Sequence, residues 1–242
     1  MNTFTYNGVS SYDLGLRIES KNVFSAPQYD VKFQSIPGRD GDLILPNGRY
    51  PNVQVTYSVF LPAKTLTELQ EKITAVKAWL YTEPDRYHEL RDSYDTGSFR
   101  RAVINTALDI EDQLNKIGVF TVSFSCLPFK YLDSGQTAVT VASGNSLTNP
   151  TPFASKPLIR VNGSGDGVLQ ISNSSGVLRL QMEGISSYLY IDSEQMNCYK
   201  GAASMNDAVT ASGFPALTAG QNAFSFSGGI TSIKVTPRWV TL

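Results

Sequence analysis

Only one stretch of the 242 residues repeats its apolar side chains at the spacing of an α-helix, which leaves β architecture for nearly everything else. Leu66, Leu69, Ile73, Val76 and Leu80 recur at intervals of three and four, Lys72 and Lys77 keep the opposite face wet, and Trp79 flanks the stripe. Thr65 with Glu68 three residues on makes a capping box, and Pro84 follows the last periodic residue. The spacing predicts a helix over 66–81, covering a sheet.

The strands of that sheet are marked by alternation. Asn7-Gly8 lies between extended residues and suits a two-residue hairpin turn. A second Asn-Gly, Asn47-Gly48, precedes YPNVQVTYSVFL, where Val53, Val55, Tyr57 and Val59 share a face before Pro62. RYHELRD, FRRAVINTALDI and KIGVFTVSFSCL read as a meander, with turns at Asp95-Thr96-Gly97 and Asn115. In FTVSFSCLPFKYL, Phe120, Val122, Phe124 and Cys126 fall on one face and Thr121, Ser123 and Ser125 on the other. Pro128 removes a ladder donor, so sheet pairing is predicted to stop near it.

Past Asp133 the composition changes. Residues 1–133 carry 14 Lys plus Arg and 16 Asp plus Glu, against 6 and 5 beyond, while Gly rises from 7 to 12 and Ser from 10 to 16. Short strands joined by tight turns have that composition. Two domains are predicted, 1–133 and 134–242. After a Ser, Thr, Gly and Asn-rich run to Pro157, strand candidates PLIRV, GVLQIS, GVLRLQM, SYLYID, MNCY, NAFSFS and ITSIKVTP recur at intervals of about ten residues, the pattern of a β-sandwich.

Several chemistries are excluded. No run approaches the roughly 18 apolar residues of a membrane span, and MNTFTYNGVS has no basic segment followed by an apolar core, so a soluble cytosolic product is expected. A net charge of −1 with scattered Lys and Arg opposes a nucleic-acid grip. Cys126 and Cys198 fall in different domains and read as buried free thiols. Asp95-Thr96-Gly97 and Asp133-Ser134-Gly135 match the aspartic-protease signature, but the 38 residues between them cannot hold a lobe, and Asp-Thr-Gly is ordinary turn chemistry. His88 is the only histidine, which leaves no zincin motif and no His-paired metal site. Gly163, Gly165 and Gly167 precede a strand rather than a helix and read as a hairpin turn. Tyr188, Tyr190, Tyr199, Phe224, Phe226 and Trp239 could stack sugars on a sandwich face, against which stands ordinary strand packing. No catalytic residue, cofactor or metal site is assigned.

SYDLGL, PGRDGDLIL, the helix ending AVKAWL, LRDSYDTGSFRRAVI, VSFSCLPFKY, SKPLIRVNGSG, IDSE followed by Tyr199, FPALTAGQNAFSFSG and TPRW, in this order from about Tyr12 to Trp239, resemble the distal tail protein family of long-tailed bacteriophages. The resemblance implies a mainly β chain with one helix. Its amino-terminal domain would be split-barrel-like, and its carboxy-terminal domain a galectin-like β-sandwich. It further implies a non-enzymatic hexameric ring hub at the virion tail tip, assembled in the host bacterial cytoplasm. Such a ring joins the tail-tube protein to the tail-associated baseplate protein and supports receptor-binding proteins. DNA passes through such a ring, and a first domain at 14 minus 16, or −2, suits a lumen that does not hold the polyanion. A closed ring needs two different faces of each subunit in contact. The long, glycine-rich, charged loop 37–48 is the candidate for one of them, with Arg39, Asp40, Asp42 and Arg49 as interface residues. The competing reading is a carbohydrate-binding adhesin acting through the sandwich.

Overall fold

A computed structural model describes residues 2–242. The chain divides into two compact units, one ending at Lys130 and joined by Leu242, the other spanning Tyr131–Thr241. It is mostly strand, in antiparallel sheets, with a single α-helix among the described residues.

In the first unit the strands are β1 (Phe4–Tyr6), β2 (Val9–Ser10), β3 (Arg17–Asn22), β4 (Val31–Gln34), β5 (Leu43–Pro46) and β6 (Val53–Pro62). After helix α1 (Leu66–Leu80) come β7 (His88–Asp92), β8 (Asp95–Ile104), β9 (Glu111–Gln113) and β10 (Ile117–Leu132). The sheet runs in the order β2-β1-β7-β8-β10-β6-β3, with β9 also on β10, while β4 and β5 pair only with each other. Asn7 and Gly8 both take positive φ between Tyr6 and Val9, as a two-residue hairpin requires.

The alternations of β6 and β10 face each other. Phe120, Val122, Phe124 and Cys126 sit opposite Val59, Tyr57, Val55 and Val53, so both apolar rows enter one core. Pairing with β6 ends at Cys126, two residues before Pro128, although the strand continues to Leu132. Around Phe4 the core is aromatic, with Tyr57 stacked at 4.4 Å and Trp79 at 5.7 Å. Full burial of each such ring contributes on the order of 2 kcal/mol.

Thr65 caps α1 by accepting from the Glu68 N–H, while the Glu68 carboxylate accepts from Lys64 N–H, one residue before the usual partner in a capping box. Leu69, Val76, Trp79 and Leu80 are buried, and Trp79 Nε1 donates to the Tyr6 carbonyl at 2.9 Å, tying helix to β1. Leu66, the first member of the predicted stripe and the first residue of the helix, is exposed instead.

The second unit contains β11 (Val139–Val141), β12 (Ser146–Asn149), β13 (Leu158–Asn173), β14 (Gly176–Asp192), β15 (Asn197–Lys200), β16 (Ala203–Ser204), β17 (Val209–Thr210), β18 (Gly220–Thr236) and β19 (Val240–Thr241). Here the structure corrects the sequence reading: PLIRV and GVLQIS are one strand, β13, as are GVLRLQM with SYLYID in β14 and NAFSFS with ITSIKVTP in β18. Gly163, Gly165 and Gly167 are not a hairpin turn but an irregularity within β13. A Cβ on Gly163 would collide with the Gly229 carbonyl, and one on Gly229 with the Ser164 carbonyl, so two bare backbones cross there.

Strand β18 is bent at this crossing. Val141 pairs with Ile233 and Ser146 with Ala223. A tight turn over 142–145 leaves Val141 and Ser146 no more than about 15 Å apart. Ten residues of straight strand from Ala223 to Ile233 would span about 33 Å. The long strands therefore fold over on themselves around a single core that takes Ile159 and Val161 from one half and Leu169 and Ile171 from the other. The polar run before Pro157, which carries no strand signal, supplies β11 and β12; buried Asn149 holds it by donating to Phe153 O and Leu217 O.

Candidate assembly surfaces and binding face

Strands β4 and β5 form a hairpin whose apolar side chains have no sheet to cover them. Phe33 and Ile44 face each other in register at 63% and 57% exposure, with Leu45 and Ile36 also exposed. A lone two-stranded hairpin is marginal in water, and an exposed apolar patch of this kind marks an interaction surface. Arg39, Asp40 and Asp42 lie in the exposed connection between the two strands, after a turn in which Arg39 N–H bonds Ile36 O. Arg49 is set apart from them at the hairpin base. Its Nε donates to Asp30 Oδ2 at 2.8 Å and Asn47 Nδ2 to Oδ1 at 2.8 Å, which holds the Asp30 carboxyl below its usual range.

The apparent catalytic residues have structural employment. Asp95 is not in a turn but opens β8, opposite Asp92; the turn is at Ser93-Tyr94. Burial would raise its pKa, but Ser98 Oγ at 2.8 Å and Lys130 Nζ at 3.0 Å outweigh burial and hold it low. Asp133 begins a short 3-10 turn in the second unit. His88 is buried in β7, with a ring nitrogen 3.1 Å from Glu83 O and its ring edge-on to Tyr6. Burial pushes the Cys126 thiol up to about 12 and the Cys198 thiol to about 11, the opposite of nucleophile activation.

Two sequence motifs meet in the second unit. Asp192 of IDSE, 1% exposed, receives both Nη atoms of Arg238 from TPRW, at 2.7 and 3.0 Å. Asp192 Oδ1 also accepts the Glu194 and Gln195 N–H groups. Burial raises the Asp192 pKa, yet the guanidinium and backbone donors prevail and hold it below the usual range. Tyr131 OH donates to Glu194 Oε1 at 2.7 Å, and Ser155 of SKPLIRV donates to Pro237 O at 2.7 Å. The motifs thus share one buried junction.

Along the same strands, register aligns a row across five of them: Thr140, Lys234, Arg160, Tyr190 and Tyr199. Their strand neighbours Ile233, Val235, Ile159, Val161, Ile191 and Cys198 are buried, so the row lies on the face turned away from the core. Tyr190 and Tyr199 stack at 5.3 Å and 20°, and the Arg160 guanidinium sits 4.7 Å from the Tyr188 ring and 5.8 Å from Tyr190. Phe224 and Trp239 are core residues, which splits the aromatic set read from sequence. Arg160 and Lys234 escaped that reading; their signal was outward placement in the alternations of PLIRV and ITSIKVTP.

Residues 8–126 match the family model of the phage tail protein RIFT-related domain. That match lies within the first unit and spans just under half of the chain. The match takes in most of the first unit's sheet, α1 and the exposed hairpin. Over the whole length, the chain is similar to the crystal structure of SPP1 Dit (gp 19.1), described as a paradigm of the hub adsorption apparatus in phages infecting Gram-positive hosts. That match has a TM-score of 0.78, 15% identity and 100% coverage of both chains. Structures of the phage P2 baseplate in its activated conformation, with Ca and with Sr, each match over 97% of both chains at a TM-score of 0.53 and 7% identity. The chain therefore has the fold of Dit, with both units accounted for. No curated protein sequence matches it.

Proposed function

We propose that the protein is a structural, non-enzymatic hub of a phage tail tip, in which six copies form a ring through their first units. The ring would join the tail-tube protein on one side to the tail-associated baseplate protein on the other and support receptor-binding proteins, with DNA passing through its centre. Assembly would take place in the host bacterial cytoplasm. The observation that carries this reading is the match to SPP1 Dit over the full length of both chains, together with the phage tail domain over residues 8–126.

The uncovered hairpin supports the ring. Phe33, Ile44 and Leu45 need a neighbour, and Arg39, Asp40 and Asp42 beside them offer charges of both signs, suited to a heterologous contact with the next subunit. In the second unit, the motif junction around Asp192 fixes a rigid sandwich, galectin-like in this reading, as a mount for other tail proteins. Immunogold labelling of intact particles tests the assignment: label should collect at the distal end of the tail, and label on the capsid or along the tube would refute it.

A further inference from the structure

We infer that the outward face of β11, β18, β13, β14 and β15 binds an acidic polysaccharide, with one acidic sugar residue seated between Lys234, Arg160 and Tyr190 and the chain continuing across Tyr199. This holds whether or not the subunits form a ring.

Charge is the first observation. Among the described residues neither Arg160 nor Lys234 has a carboxylate partner, and the cross-strand row contains no acidic residue; Asp192, two residues on from Tyr190, is buried and neutralised by Arg238. Arg160 Nε is buried without a hydrogen-bond acceptor, while its guanidinium is held in place by two tyrosine rings. An arginine ordered by stacking yet unneutralised is preorganised for an anion, with little rotamer freedom left to lose. Lys200 adds a third cation, its Nζ 5.5 Å from the Tyr188 ring.

Shape is the second. A recess of about 220 Å³ is lined by Ala138, Leu158, Arg160, Tyr190, Lys234 and Thr236. It lies below the roughly 300–1,000 Å³ of enclosed small-molecule sites, so it fits one residue of a polymer better than a whole cofactor. Leu158 and Tyr190 give it apolar walls for the C–H face of a sugar ring, Thr236 a hydroxyl, and the two cations a seat for a carboxylate or phosphate. From Lys234 to Tyr199 the row crosses three strand spacings, about 14 Å, longer than a single ring.

A protein partner suits this face less well. Beyond the tyrosines and Leu158 it presents Thr140, Asn162, Ser232 and Ser204, hydroxyl and amide groups rather than the aliphatic centre of a protein interface. Strand addition would need a free edge, whereas Lys234, Arg160 and Tyr190 stand on the interior strands β18, β13 and β14.

The test is affinity electrophoresis of the full chain in gels containing polygalacturonate, phosphomannan, neutral dextran or polyglutamate. Retardation is expected with at least one of the two acidic polysaccharides, and which one responds distinguishes a carboxylate from a phosphate ligand. Arg160→Gln and Tyr199→Ala should each weaken that retardation by about tenfold. Lys234→Ala, at an exposed side chain, carries the same expectation should either of those fail to fold. No retardation by either acidic polysaccharide, equal retardation by polyglutamate, or folded variants that bind as the parent does would overturn the proposal.

Discussion

Arg238 donates through both Nη atoms into the two carboxylate oxygens of Asp192, 46 residues earlier in the chain. Asp192 is buried and Arg238 largely so, and Arg238 reaches it from a backbone at φ 53°, a conformation that a non-glycine residue adopts only when its surroundings hold it. Its Nη1 lies 3.4 Å from Glu194 as well, so removing one anion leaves a guanidinium with half its partners. Asp192→Asn is expected to destabilise the second unit by about 3 kcal/mol, as breaking a buried pair does. Replacing both residues by apolar ones should cost less than the single change. Chemical denaturation of the two variants checks the order.

Acid and neutral pH should act oppositely on two aspartates, half-buried Asp92 and buried Asp192. Burial raises the Asp92 pKa above 3.8 despite hydrogen bonds from Tyr57 OH at 2.8 Å and Tyr94 OH at 3.0 Å. The folded state then holds more protons than the unfolded chain just above pH 3.8, so this contribution falls as pH rises through that window. Asp192 is depressed, so in the window below 3.8 the unfolded chain binds more protons, and stability is lost as pH drops. Asp92→Asn should remove the decline above pH 3.8 in urea titrations; a slope equal to the parent's would contradict the assignment.

The strand crossing in the second unit makes a sharp demand on glycine. Gly229→Ala would drive a methyl group into the Ser164 carbonyl and should cost about 2 kcal/mol or more, whereas Gly213→Ala meets open space and should be close to neutral. Thermal unfolding of the two variants separates a built crossing from a loose turn.

Much of the first unit is legible because its signals are local. The rows on β6 and β10 and the Thr65 cap need only neighbours in sequence to be recognised. In the second unit the informative events are long-range. Gly163 and Gly229 resemble turn residues to any local reading, and only their crossing reveals that two strand candidates are one bent strand. The Asp95 motif misleads for a related reason: its turn chemistry is overridden by pairing of Asp95 with Asp92 and by the Lys130 ion pair. For the same reason Lys234, Arg160 and Tyr190 become a row only through strand register, and the exposure of Phe33 and Ile44 is hidden in an ordinary hairpin pattern.

The hairpin should govern association. Exchanging the charges of Arg39 and Asp40, or replacing Phe33 and Ile44 together by Ser, is expected to weaken the oligomer while leaving the monomer folded, since all four side chains are exposed. Light scattering reads the outcome. A mass unchanged from the parent's for both variants would remove the hairpin from the interface.

The ring itself is tested most directly by native mass measurement with negative-stain class averages of the full chain at high concentration. The account predicts a particle of six 26.4 kDa chains with six-fold symmetry and an open centre. A strict monomer, or a closed assembly without a central opening, would contradict it.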